Sequence, residues 1–235
     1  MMIFSFSRLN LFQSCPFRFY KKYVLGYEEP MTLPLALGKS VHKAIEDKIN
    51  GVEHREAVLN GLIEADFHPE VRAEDVSFLT SRSNAAPGMG KTELHFKLPL
   101  NDSQDGPLLQ GYIDVVSNSG MAITDWKTNR VPYHVLDNHQ VGLYAWVMGE
   151  LYNVPHVVGT LYFLRFRKRS SHCFMPADME RARLWALGLA KEVNARMELY
   201  GMVPGEATRI FPANPSGHCK HCPFARECLR TFATI

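Results

Sequence analysis

The sequence predicts an α/β (α+β) domain with a central mixed β-sheet flanked by helices. Its hydrophobic patterns follow the order helix, strands, helix, strand, helix, which is typical of that class. The chain has 235 residues, of which 46% are hydrophobic, enough to bury a substantial core. Because it has no internal repeat and no long linker of Pro, Gly or Ser, we expect a single domain spanning residues 1–235.

The first predicted elements are helices. Residues about 1–30 carry apolar side chains at helical spacing, and Pro16 should interrupt them because proline disfavours helix for the residue before it. The stretch Gly38–Asn50 places its apolar residues on one helical face, and Gly51 provides a stop signal. More helix is expected up to about Leu62.

Three strands are predicted next. Short apolar or alternating runs cover Thr92–Leu98, Leu108–Val116 and Met121–Trp126. Turn signals separate them, at Asp105-Gly106-Pro107 and at Asn118-Ser119-Gly120. The simplest pairing of these strands is an antiparallel meander.

The second half of the chain returns to helix and then ends irregularly. Asn138–Leu151 is predicted as a helix, Val157–Phe166 as a strand and Ala177 to about Leu199 as a helix. Cys173 lies in an apolar, strand-like context, which predicts a buried thiol. The tail, about 204–235, shows no clear period.

Composition excludes some classes of protein. The net charge of +2 and the pI near 8.3 do not demand a polyanion as partner. The chain lacks a run of roughly 18 apolar residues and a basic N-terminal leader, so we expect a soluble, cytoplasmic protein with no membrane partner. Five cysteines, unevenly clustered, favour metal ligation over a disulfide framework in a reducing compartment.

A metal-binding pattern lies on the predicted strands. Asp125 and Lys127 are two residues apart, so their side chains project from the same face of a strand. Pairing with the preceding strand would bring Asp114 to the same ion, because the turn between them is short. Two carboxylates and a lysine amine suit phosphodiester hydrolysis. Taken alone, the pattern also fits a solvated strand face.

Four ordered motifs resolve this ambiguity. Together they resemble the motif series of RecB-like nucleases of the PD-(D/E)XK superfamily. The similarity extends to CRISPR-associated iron-sulfur exonucleases and to the AddB nuclease domain. The motifs are Gly38-x-x-x-His42, Gly111-x-x-Asp114, Asp125-Trp126-Lys127 and Gln140-x-x-x-Tyr144. The resemblance implies a restriction-endonuclease-like sheet.

The resemblance also implies a ligand set for Mg or Mn. His42, Asp114 and Asp125 would bind the metal with the backbone carbonyl of Trp126, and Lys127 would position or activate water. The family more commonly has tyrosine at the position of Trp126, a difference that leaves the carbonyl in place.

Three further residues complete the predicted site. Glu93 would add a carboxylate. Gln140 and Tyr144, four residues apart on one helical face, would reach a phosphate or the water near the metal. Without the other motifs, Tyr144 would be assigned to packing and His42 to an ordinary helix histidine.

The cysteines form one distant ligand and a compact trio, Cys15 with Cys219-x2-Cys222-x5-Cys228. This arrangement resembles that of iron-sulfur members of the RecB-like family and implies a 4Fe-4S cluster, favoured over zinc. Its expected role is to fasten the irregular tail to the first helices, with redox sensing as the alternative.

Two basic clusters are candidates for DNA binding, each with aromatic neighbours that suit single-stranded DNA. Solvated surface charge is the alternative for both. The first cluster is Arg18, Lys21 and Lys22, and the second is Arg165, Arg167, Lys168 and Arg169.

These features predict a Mg- or Mn-dependent deoxyribonuclease. We expect an exonuclease, with or without endonuclease activity, that acts on single-stranded DNA or DNA ends. Its partners would be other CRISPR or recombination proteins, in spacer acquisition or in recombination and repair. The alternative is a DNA-binding or assembly module that retains the fold without catalysis.

Overall fold

A computed structural model describes residues 2–101 and 106–232. Contacts divide the chain into two compact units. The first unit comprises Met1–Pro30, Lys97–Gln110 and Leu184–Ile235, and the second comprises Met31–Phe96 and Gly111–Arg183. Our expectation of a single domain stays a prediction.

The sheet has six strands and is mixed. Strand β1 is parallel to β3, β3 is antiparallel to β4, β4 is parallel to β5, and β5 is antiparallel to β6. The order is β1-β3-β4-β5-β6, and β2 also pairs with β3. The strands are β1 (Ile3–Phe4), β2 (Lys91–Pro99), β3 (Leu108–Val116), β4 (Ala122–Lys127), β5 (Val157–Phe163) and β6 (Lys168–Phe174).

Helices account for most of the remaining described residues, so the predicted mixed α/β class is confirmed. A π-helical turn, Tyr20–Val24, follows the second helix. The α-helices are α1 (Phe6–Ser14), α2 (Pro16–Phe19), α3 (Leu33–Ile49), α4 (His54–Glu64), α5 (Ala73–Ser81), α6 (Gln140–Tyr152), α7 (Pro176–Met202), α8 (Ala207–Ile210) and α9 (Ala225–Phe232). Within the described ranges, no helix combines the length and apolar character that a membrane crossing requires.

The β3-β4 hairpin follows the predicted antiparallel pairing. Val115 lies opposite Thr124, and the backbone N–H of Ser117 donates to the carbonyl of Ala122 at 2.8 Å. Gly120 occupies the predicted turn with a φ of 73°, a left-handed conformation that favours glycine. Asp105, part of the other predicted turn, lies outside the described residues.

Several elements differ from the sequence predictions. The short β1 and the helix α5 have no counterpart among them. The strand predicted to reach Phe166 ends at Phe163, and the chain then turns into β6. The prediction of a buried Cys173 was wrong, because this thiol is exposed on β6.

The core of the second unit lies between α3, α4, α5 and the sheet. Val41, Ala44 and Ile45 of α3 are fully buried there. They pack in the same cluster as Val115 of β3 and Trp126 of β4. This packing fixes α3 beside the strands that carry the predicted acidic residues.

The first unit has an aromatic core that joins its N-terminal and C-terminal segments. Tyr20 stacks on Phe211 with ring centroids 5.1 Å apart, and Phe17 meets Phe232 edge-on at 5.1 Å. The backbone N–H of Phe17 also donates to the Pro212 carbonyl. The tail predicted as irregular therefore contains α8 and α9 and is docked through its own side chains.

Candidate functional site

The second unit brings the acidic residues of β3 and β4 next to α3. Val115 pairs with Thr124 in the β3-β4 register, and Asp114 and Asp125 are the adjacent residues on these two neighbouring strands. Asp114 Oδ2 accepts the backbone N–H of Trp126 at 2.9 Å and lies 3.2 Å from His42 Nδ1. The first three predicted motifs thus meet at one carboxylate.

A second series of contacts connects β4 to α6. Lys127 Nζ lies 2.7 Å from Asp125 Oδ2 and donates to Gln140 Oε1 at 2.9 Å. Gln140 Nε2 donates in turn to the Tyr144 hydroxyl at 3.2 Å. Asp125 Oδ2 is buried and forms a short ion pair with the Lys127 ammonium.

Burial and mutual repulsion set the charge state of the carboxylates. Burial, reinforced by Asp114, raises the pKa of Asp125 against the opposing effect of Lys127. Burial would also raise the pKa of Asp114, but His42 and the Trp126 N–H lower it overall. Burial would lower the pKa of His42, yet Asp114 raises it to about 9. The site therefore stabilises positive charge beside its carboxylates.

Glu93 faces the same cavity from β2. Its φ of 45° is left-handed, which is rare for a residue with a side chain inside a strand and typical of a bulge that redirects it. Burial and then Asp114 raise the pKa of Glu93 to about 7. A third carboxylate thus adds to the negative charge around Asp114.

His42, Glu93 and Asp114 line an open cavity of about 500 Å³. Imidazole nitrogen and carboxylate oxygens are a donor set suited to a divalent metal such as Mn, and the buried Asp125 Oδ2 already faces a cation, the Lys127 ammonium. Across the described ranges, no three His, Cys, Asp or Glu side chains are already gathered closely enough to hold an ion. Binding would therefore separate the His42–Asp114 and Asp125–Lys127 pairs. The cavity lining includes Gly38, His42, Lys43, Glu64, Glu93 and Asp114.

Two residues at this site escaped the sequence analysis. Asn84 Oδ1 accepts the Trp126 indole N–H at 3.0 Å. This bond fixes Trp126, which lies between Asp125 and Lys127. Tyr133 packs edge-on against Phe163 at 5.2 Å, and burial raises the pKa of its hydroxyl against the opposing effect of the nearby Lys127. Both lie in irregular segments, where no periodic pattern marks them.

In the first unit, four of the five cysteines line one cavity of about 260 Å³. Pro16 is the first residue of α2, directly after the first of these cysteines, whereas Pro223 precedes α9 within a turn. Burial raises the pKa of the thiols of Cys222 and Cys228. The four cysteines are Cys15, Cys219, Cys222 and Cys228.

The two predicted DNA-binding clusters differ in how far acidic side chains neutralise their positive charge. In the first unit, Arg18 and Lys22 each contact Glu29 at 2.7 Å. Burial would raise the pKa of Glu29, but these two cations lower it. Lys21 is buried and contacts Glu227 at 2.6 Å. This cluster is therefore largely paired within its own unit.

The second cluster follows the turn between β5 and β6. Arg167, Lys168 and Arg169 are exposed. Arg165 is partly buried, and its Nε donates to the carbonyl of Thr128 at 2.8 Å. Among the described residues, none of these four forms an ion pair, so this cluster retains its positive charge.

Comparison with known proteins identifies one matching family. The model of the PD-(D/E)XK nuclease superfamily matches residues 3–229. No curated protein sequence matches the chain. A solved structure titled "Crystal structure of SSO0001" is similar over 88% of this chain and 91% of that one, with 12% identity and a TM-score of 0.39.

Proposed function

Because the chain belongs to the PD-(D/E)XK nuclease superfamily, we propose that it is an exonuclease acting on single-stranded DNA or DNA ends. Membership implies metal-dependent nuclease activity, and nucleases of this superfamily use divalent metals such as Mg or Mn and bind DNA. The observation that carries the proposal is the set of contacts that joins the motifs: Asp114 contacts His42 and the Trp126 N–H, and Asp125 contacts Lys127.

In this proposal His42, Asp114 and Asp125 hold the metal, with Glu93 and the Trp126 carbonyl as further oxygen donors. When bound, the ion would polarise a phosphate oxygen and activate water. These donors come from α3, β3 and β4, which share one core, and from β2, which pairs with β3. The fold therefore supplies the ligands from rigid elements rather than from loops.

Lys127 would position the water and stabilise charge that develops on the phosphate. Burial opposes the charge on its amine, but Asp125 raises the pKa of Lys127 above its usual range, so the side chain stays protonated. Gln140 fixes the direction of that ammonium, and Tyr144 fixes Gln140. As a cation, Lys127 acts by orientation and charge and not as a base.

Cleavage of internally labelled linear and circular DNA tests this function. We expect purified protein to degrade a linear single strand with Mn or Mg, to be inactive in EDTA and to leave a circular single strand intact. Lys127→Ala should abolish cleavage, whereas Lys91→Ala, which removes an exposed lysine of β2, should not. Cleavage of circles would replace the exonuclease by an endonuclease, and inactive wild-type protein would favour a DNA-binding module.

We also propose that Cys15, Cys219, Cys222 and Cys228 bind a 4Fe-4S cluster. Four thiols around a single cavity support this assignment, since four thiolates are its usual ligands. Iron and sulfide analysis of anaerobically purified protein, with its visible absorption spectrum, tests it. Stoichiometric zinc without iron would overturn the cluster.

The resemblance to RecB-like nucleases further suggests a role in CRISPR spacer acquisition or in recombination and repair.

A further inference from the structure

The turn that connects β5 and β6 carries an aromatic side chain directly before three basic residues. Phe166 is 40% exposed at this turn, in the second unit. Arg167, Lys168 and Arg169 follow it directly and are exposed. A partner that covered the exposed part of this ring would add apolar burial.

The backbone holds this ring in a defined place. Phe163 pairs with Lys168 at the end of the hairpin, and the N–H of Phe166 donates to the Phe163 carbonyl at 3.1 Å. Arg167 has a φ of 51°, a left-handed conformation that is costly for a residue with a side chain. The turn is therefore tight and keeps Phe166 from folding back onto the sheet.

Side chains from outside the hairpin also fix the turn. Arg82, at the end of α5, donates to the carbonyls of Leu164 and Arg165, each at 2.9 Å. Arg165 in turn donates to the Thr128 carbonyl at 2.8 Å. The tip is thus attached both to α5 and to the segment that follows β4.

The turn is also attached directly to the candidate active site. The N–H of Leu164 donates to the carbonyl of Lys127 at 3.0 Å. Phe166 follows two residues later, which is at most about 7 Å of chain. The ring is therefore close to the end of β4 that carries Lys127.

We propose that Phe166 stacks on an unpaired base next to the scissile phosphate, while Arg167, Lys168 and Arg169 hold the flanking phosphates. Stacking on an aromatic ring together with backbone contacts is a general means of binding single strands. A paired base presents its face to its stacked neighbours, so the contact selects unpaired DNA. This inference rests on the proposed nuclease function and specifies its substrate.

Binding in EDTA, where cleavage does not occur, tests the contact. We expect Phe166→Leu to bind a 2-aminopurine-labelled single strand roughly tenfold more weakly and to change its fluorescence less, with duplex binding unaltered. Phe166→Trp should retain wild-type binding. Phe67→Leu is the matched control, because Phe67 is an exposed phenylalanine of the same unit outside this turn. Thermal melts confirm that each variant is folded.

Two results would overturn the inference. Wild-type binding of the single strand by Phe166→Leu would exclude the stacking contact, and an equal loss for duplex and single strand would exclude selection of unpaired bases. Cleavage by the wild-type protein with Mn is measured in parallel. Normal cleavage with unchanged binding by Phe166→Leu overturns this inference alone, whereas weakened binding without any cleavage overturns the nuclease proposal alone.

Discussion

The buried oxygen Oδ2 of Asp125 faces the Lys127 ammonium at 2.7 Å. A buried carboxylate needs a cation or a hydrogen-bond donor beside it, and Lys127 is such a cation for Asp125. On the neighbouring strand, Asp114 pairs with His42. At the scale of single residues, Asp114 and Asp125 thus each have a cation beside them, His42 and Lys127 respectively. A bound metal would replace that cation or bind next to it.

Metal affinity should depend on pH through His42. Its pKa of about 9 means that the imidazole is protonated at neutral pH, and a metal must displace that proton. We expect Mg affinity to rise from pH 6 to pH 9, with proton release detected by calorimetry in buffers of different ionisation enthalpy. The His42→Asn variant should bind Mg more weakly, and its Mg affinity should no longer rise with pH above neutral. A wild-type affinity that falls over this range would contradict the assignment.

Gln140 should affect catalysis through Lys127. Gln140→Leu removes the acceptor that orients the Lys127 ammonium, and we expect kcat to fall roughly tenfold to a hundredfold. Metal affinity measured by calorimetry should change little, because Gln140 contacts Lys127 and not a proposed ligand. A Gln140→Leu variant with wild-type kcat would show that Lys127 needs no such support.

Among the elements, α3, β3 and β4 carry most of the site, and two glycines show what they require. A Cβ at Gly111 in β3 would lie 2.9 Å from the Phe96 ring, which itself packs edge-on against Tyr144. A Cβ at Gly38 in α3 would meet only Thr128 Oγ1, at 3.9 Å, on the side of the cavity. The first glycine is needed for packing, and the second leaves space beside the proposed metal.

The two glycines should therefore respond differently to alanine. We expect Gly111→Ala to lower the free energy of unfolding by about 1–3 kcal/mol through overpacking. Gly38→Ala should leave stability unchanged or raise it by up to about 1 kcal/mol, because alanine favours helix. Urea unfolding measures both. If the substrate approaches α3, Gly38→Ala will reduce cleavage although the variant folds normally. An equal loss of unfolding free energy in both variants would contradict the distinction between the two glycines.

The sequence predicts the periodic elements well and the irregular ones poorly. Leu108–Val116 has the bounds of β3, and α6 and α7 lie within a few residues of their predictions, because long apolar patterns specify them. Strand β6 was missed because its polar sequence, exposed on most positions, has no apolar alternation. The contacts of Asn84 and Tyr133 depend on tertiary packing, which no local pattern encodes.

On the scale of the whole chain, each unit is assembled from segments distant in sequence. In the first unit, aromatic pairs such as Tyr20 with Phe211 and Phe17 with Phe232 connect the N-terminal segment to the tail. The four cysteines lie in the same unit. The cysteine cluster would therefore reinforce an interface that already has an apolar core, rather than provide the sole connection.

Loss of the cluster should weaken the first unit without unfolding it completely. We expect Cys228→Ala to lose iron and to lower the Tm by several degrees, while the circular dichroism spectrum keeps most of its helical signal, because the aromatic core remains. Cys173→Ala is the matched control, since this exposed cysteine lies outside the cavity. Complete loss of helical signal on iron removal would show that the cluster alone holds the unit together.

The most direct test of the account is DNA cleavage by variants of the proposed metal ligands. A labelled linear single strand is incubated with Mn and wild-type protein, Asp114→Asn, Asp125→Asn or Glu64→Gln. Glu64 lines the same cavity but is half exposed and lies 3.9 Å from Lys39, so it controls for loss of a cavity carboxylate. We predict that both aspartate variants lose roughly a hundredfold or more of the cleavage rate, while Glu64→Gln stays near wild type. Wild-type rates in folded Asp114→Asn or Asp125→Asn would contradict the assignment of the metal site.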